Sequence, residues 1–283
     1  MTLPALAATI DATVLKLCTE LRSRRQMLAL GLACVALVFP TRALHGERQS
    51  PRFAPLVFRC LLGGAARGKW LGPGEAARLV KGKERYRLYS LSGPRGTAVG
   101  GKPEEEGPPG QCADYYVVRS LPEKTLAVAA AWNAMPRIPV ALAAPPPDAV
   151  VAVRKLLVSK RIRNPRVRIA GTLRVDLDGD GRDELLVSAT FIRKFTDRWD
   201  QGEYSAVLLR RQDRWSLIQG EFSTEGKKSA CPVEYTVVGV ADADGDGKME
   251  VLVAFSYYEG EGVTLNAVDG PKIEERAICS CGL

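Results

Sequence analysis

The sequence predicts a mainly β protein: two four-stranded antiparallel units, a mixed and loop-rich β region before them, and one connecting helix. Three observations carry this expectation. Apolar and polar residues alternate with period two from Arg166 onward, the mark of a strand with one buried face. Two acidic loops, Asp176 to Glu184 and Asp242 to Glu250, recur 66 residues apart (242 minus 176) in the same strand context. A helical period shows in one stretch, just after a run of three prolines.

At the N-terminus, residues 27–39 form an uninterrupted apolar run behind the basic cluster Arg22-Ser23-Arg24-Arg25. Such a run covers about 20 Å as a helix, short of a ~30 Å hydrocarbon core, and Pro40 and Arg42 end it. A basic region, a short apolar region and a small residue are the anatomy of a secretory signal. The stretch Ser23 to Leu28 also resembles the twin-arginine export motif, with Met27 where that motif usually has Phe. Residues 1–43 are therefore expected to be a signal peptide of twin-arginine type, cleaved after Ala43. General secretion and an uncleaved anchor are the alternatives. A periplasmic or extracellular protein with no transmembrane segment after signal removal would result.

Composition agrees with a globular exported chain. It is 46% apolar and 25% charged, with a formal charge of +8. Residues 1–43 hold five basic and two acidic groups, so their removal leaves +5 (8 minus 3). No Lys/Arg run is interleaved with aromatics, so nucleic acid is not an expected partner. Past residue 43 stand Cys60, Cys112, Cys231, Cys279 and Cys281. An oxidising compartment permits disulfides, but sequence leaves their pairing open. Cys231 opens the last unit and Cys279 and Cys281 close the chain, so a bridge between those ends is the expectation.

Residues 44–147 carry weak signals. Arg85 to Leu91, Asp114 to Arg119 and Leu126 to Trp132 are expected strands. Residues 92–111 are dense in Gly and Pro and predict a long loop. Residues 136–147 look like a proline-rich connector. The segment 148–283 then holds a helix and two β repeats, 166–222 and 231–283. Asp148 is the expected N-cap of the helix, and Val150, Val153, Leu156 and Leu157 form its apolar face. The first repeat runs from the strand at Arg166 through its loop to Leu185–Phe191, Tyr204–Arg211 and Trp215–Phe222. The second runs Tyr235–Val240, loop, Val251–Tyr258, Val263–Val268 and Ile273–Cys279. Four antiparallel strands are what a propeller blade is made of.

The two loops carry the chemistry. Acids stand at positions 1, 3, 5 and 9 of both, and Gly at 4 and 6. Calcium is a hard ion that takes six to eight oxygens, and carboxylates at alternate positions of a tight turn can converge on one centre. Position 6 suits a left-handed backbone, hence Gly181 and Gly247. Position 7, Arg182 or Lys248, can offer only its carbonyl. An EF-hand would need an acid at position 12, where Val187 and Val253 stand inside strands.

This pattern resembles the FG-GAP and VCBS repeat family, whose integrin α-chain members form calcium-bearing β-propellers. The resemblance covers residues 166–283. It implies two propeller-blade-like units and two Ca2+ sites. The implied ligands are Asp176, Asp178, Asp180, Arg182 (carbonyl) and Glu184, and Asp242, Asp244, Asp246, Lys248 (carbonyl) and Glu250. Asp183 is expected to face solvent. Glu stands where the family usually ends its loop on Asp, and the Phe-Gly…Gly-Ala-Pro signature is absent. Two blades cannot close a propeller of at least four. Either the N-terminal half supplies more sheet, or the blades pack as a sandwich-like pair, or they assemble between chains.

An active site is hard to find. His45 is the only histidine and lies beside the expected cleavage site, which removes Ser-His-Asp and Cys-His catalysis. A carboxylate pair could still run a hydrolase; Glu259 and Glu261 are the candidates outside the loops. The favoured expectation is an exported, calcium-stabilised, non-enzymatic binding or adhesion-type protein, its ligand an extracellular or cell-envelope protein or carbohydrate. A carboxylate-dependent hydrolase and a purely structural envelope protein are the alternatives.

Overall fold

The computed structural model describes residues 53–107, 112, 114–195, 199–224, 231–270 and 272–282. They belong to one compact unit, Gln49–Leu283. The expected signal peptide, its cleavage site and His45 lie outside the described residues.

The chain is mainly β. An N-terminal sheet is built from β1 (Ala54–Phe58), β2 (Cys60–Ala66), β3 (Lys69–Leu71), β4 (Arg85–Ser90), β5 (Gly93–Val99) and β8 (Leu126–Val128), in the order β3-β2-β1-β8-β4-β5. The short β6 (Glu104–Glu105) and β7 (Tyr116–Val117) pair with each other. A second sheet runs β13-β12-β11-β10-β9, from β9 (Val140–Ala141), β10 (Ile169–Val175), β11 (Glu184–Phe191), β12 (Tyr204–Arg211) and β13 (Arg214–Phe222). A third runs β14-β15-β16-β17, from β14 (Glu234–Ala241), β15 (Glu250–Tyr257), β16 (Gly260–Asp269) and β17 (Lys272–Gly282). Helices α1 (Pro73–Leu79) and α2 (Pro147–Ser159) complete the described elements.

These parts stack in layers, and the last sheet in sequence is the central one. Leu252, Val263, Leu265, Ala277 and Cys279 of the third sheet pack against Leu56, Phe58, Leu62, Leu126 and Val128 of the N-terminal sheet. Its opposite face sets Val237, Val240, Val251 and Val253 against Val175, Leu186, Val207 and Leu209 of the second sheet. Alternate residues of β15 thus enter different cores. That is why Val251-Leu252-Val253 reads as one apolar run, the mark of a strand covered on both faces. The outer face of the second sheet takes Ala149, Val153 and Leu157 of α2. The outer face of the N-terminal sheet takes Ala76 of α1. The N-terminal half does supply more sheet, and the sheets form an open stack, none closed into a ring.

Four expectations need correction. The Gly/Pro-dense stretch 92–111 is not one loop, because it contains β5 and β6. β5 is an edge strand, where a proline loses no ladder bond. Its register slips between Leu88 and Tyr89, leaving Arg95 as a bulge between Gly96 and Pro94. Asp148 is not the helix cap. Pro146 holds that position and Pro147 opens the first turn, a place that needs no N–H, while Asp148 pairs with Arg210 at 2.6 Å. The helix is not the only one, since α1 precedes it. Finally, Cys231 bridges neither end of the chain. The disulfides are Cys60–Cys279 and Cys112–Cys281, and Cys231 is free. Cys279 points into the core shared with Cys60, and period two sends Cys281 to the same side. Closing a chain segment of 219 or 169 residues, taken singly, constrains the unfolded chain by about 5 kcal/mol.

Candidate metal centre

Each acidic loop joins two paired strands: 176–184 links β10 to β11, and 242–250 links β14 to β15; only the second belongs to a four-stranded sheet, because β9 adds a fifth strand beside β10. The two are nearly superimposable in hydrogen bonding. Asp176 accepts from the amides of Gly179 at 2.7 Å and Gly181 at 3.1 Å. Asp242 accepts from Gly245 at 2.7 Å and Gly247 at 3.1 Å. Asp178 and Asp244 each accept from the amide two residues on, at 3.2 Å. Asp180 and Asp246 do the same at 2.7 Å. Glu184 and Glu250 reach back to the amides of Leu177 at 2.7 Å and Ala243 at 2.9 Å. The glycines at positions 4 and 6 all have positive φ, from 78° to 88°, which L side chains adopt only with strain.

This folding brings three carboxylates of each loop together. Oxygens of Asp176, Asp178 and Glu184 lie within 4.8 Å of one another, as do those of Asp242, Asp244 and Glu250. These are two acidic clusters able to hold a metal ion. Of the other expected ligands, which include the carbonyls of Arg182 and Lys248, Asp180 and Asp246 stand outside those clusters and accept from the amides of Arg182 and Lys248. Asp183 is half exposed and pairs with Arg174 at 3.0 Å.

Burial sets the electrostatics. Glu184 and Glu250 open their strands inside the protein, only 2% and 3% exposed. Desolvation pushes the Glu184 carboxyl above its ordinary range. It pushes Glu250 up to about 8 and raises Asp242 as well. The neighbouring aspartates add to the rise at all three. A cation among these groups would relieve both effects.

Residues that sequence reasoning missed hold the loops side by side. The Met249 amide donates to the Leu177 carbonyl at 2.8 Å, joining loop to loop. Arg137 donates to the carbonyls of Asp176 at 2.5 Å and Leu177 at 3.0 Å, and to Gly247 at 2.7 Å in the other loop. Trp132 donates its indole N–H to the Asp242 carbonyl at 2.8 Å, and its ring rests against Gly245. Arg137, inside the supposed connector, therefore clamps both loops. Two further arginines face the carboxylates. Arg211 at the end of β12 lies 3.5 Å from both Asp178 and Glu184. Arg276 on β17 donates from one nitrogen to Asp244 and to Glu250, the latter at 2.8 Å. They stand 35 and 34 residues after the first aspartate of their loops (211 minus 176, 276 minus 242) but on non-equivalent strands.

The pair considered for hydrolysis is not assembled as one. Glu259 sits in the exposed turn between β15 and β16, while Glu261 forms an ion pair with Arg59 of the β1–β2 turn.

Comparison with protein-family models, with curated proteins and with solved structures finds no match to this chain.

Proposed function

We propose that the two acidic loops are calcium sites of the FG-GAP/VCBS kind, within an exported, non-enzymatic binding or adhesion-type protein. The observation that carries this reading is the coincidence of the two loops. Sequences that differ at positions 2, 7 and 8 fold to the same hydrogen bonds and draw in the same three carboxylates. The donors are hard oxygens, the set that calcium prefers. Asp176, Asp178 and Glu184 would hold one ion and Asp242, Asp244 and Glu250 the other. The ions would neutralise the clustered carboxylates and tie β10 to β11 and β14 to β15.

Export is supported by the two disulfides. Among the described residues no helix is long and apolar enough to cross a membrane. The ligand would be a protein or carbohydrate of the cell envelope or its surroundings, met by the loop-bearing face.

Calorimetric titration of the purified protein with calcium tests the metal reading. Two sites are expected, one lost in Asp178→Asn and the other in Asp244→Asn; no heat and no change of melting temperature between calcium and chelator would refute it. Panels of envelope glycans and peptides, screened with and without calcium, test the binding role.

A further inference from the structure

Resting on the metal reading above, we infer that Arg211 and Arg276 are resident counter-cations that a metal ion must displace, so that they set the metal threshold of the two loops. Each loop gathers carboxylates that repel one another, yet the fold assembles them around a guanidinium. In the second loop a single nitrogen of Arg276 bridges Asp244 and Glu250, the position of a shared cation. In the first loop, Nη2 of Arg211 faces Asp178 and Nε faces Glu184, both at 3.5 Å.

The two arginines are not equivalents by strand. Arg211 ends the third strand of its unit, and Arg276 lies on the fourth strand of the other. Two different routes through the fold therefore deliver a positive charge to the same carboxylates, position 3 and position 9 of the loop. A guanidinium stays protonated at any ordinary pH, so this pairing cannot be relieved by losing a proton. A divalent cation a few ångströms away would meet direct repulsion in a partly buried setting.

The grip differs between the loops. Nε and Nη2 of Arg211 are buried without a hydrogen-bond partner, and its remaining nitrogen donates to the Gly270 carbonyl at 3.0 Å. Arg276 makes two charge-assisted bonds to its loop. Metal should enter the first loop at lower concentration than the second.

The test compares wild type, R211M, R276M and the charge-retaining R276K, titrated with calcium by calorimetry and with terbium by luminescence. Trp132 rests against Gly245, so terbium in the second loop is sensitised through tryptophan. R276M is expected to tighten the second site at least about tenfold, R211M to tighten the first by less, and R276K to fall between wild type and R276M. In chelator both methionine variants should melt below wild type, and folding of R276M only with calcium present would also support the inference. Binding by wild type with equal or weaker binding by R276M would overturn it while leaving the metal sites intact. Absence of metal binding in every variant would overturn the metal reading and the inference together.

Discussion

The two acidic loops share a backbone but not an environment. In the first, Asp176 and Asp178 are half buried and the amides they cap reach solvent. In the second, Asp242 is 4% exposed, Trp132 lies against Gly245, and Arg276 grips two carboxylates. The difference follows from position in the stack. The second loop sits on the central sheet, covered on both faces, while the first belongs to an outer sheet. One local motif can thus yield an open site and a closed one, because the sheets around it set its dielectric and its neighbours.

The sharpest way to break this comparison is to remove the first aspartate of each loop. Asp242→Ala leaves two amides without acceptors in a part-buried turn and should cost about 3 kcal/mol; Asp176→Ala should cost about 1 kcal/mol, since water can replace the carboxylate. Urea unfolding in chelator measures both, and equal losses would show that the environments do not differ in effect.

Calcium comes next. At about 100 times its dissociation constant it should add about 2.7 kcal/mol per site, read as a rise in melting temperature. Asp178→Asn and Asp244→Asn should each remove one share, and the calcium needed for half the rise should be lower for the first loop.

Arg137→Met should cost about 2 kcal/mol, since three carbonyls lose a charged donor, whereas Trp132→Phe, which loses one indole bond, should cost about 1 kcal/mol. Amide exchange in chelator should quicken in both loops for the first variant and in the second loop alone for the other.

A proton gives a further test. Burial holds Glu250 up to about 8 against an ordinary 4.5. Below about 4.5 the folded and unfolded chains both keep that proton. Between there and about 8 only the folded chain keeps it, so metal-free stability should fall as pH rises through this window. Calcium requires the carboxylate, so filling the second loop at pH 7 should release about one proton. Heats of binding measured in buffers of different ionisation enthalpy report that release, and Glu250→Gln should abolish it.

Much of the β architecture is legible in the sequence. The strands from Tyr204 to Phe222 and from Tyr235 to Cys279 fall within three residues of their apolar pattern, because those segments alternate or run apolar between clear turns. Of the N-terminal sheet only β4 and β8 could be read. Cys60–Ala66 is a strand made of Cys-Leu-Leu-Gly-Gly-Ala-Ala, where glycines are admitted because Trp70 and Phe53 crowd against them. No period marks such a strand. Likewise Arg137 was hidden in a proline-rich stretch, since its value lies in carbonyls 39 to 110 residues away.

The sequence alone determined the two acidic turns, their strand-to-strand setting and the acids at positions 1, 3, 5 and 9; that 1, 3 and 9 converge is seen only in the structure. These depend on contacts within nine residues, where glycine conformation and side-chain-to-amide bonds decide. Only the tertiary structure decided that the last sheet is the central layer, that Cys60 meets Cys279, and that an arginine faces each cluster. Those pairings join distant segments. They are fixed by which apolar faces cover one another, and no local pattern encodes that choice.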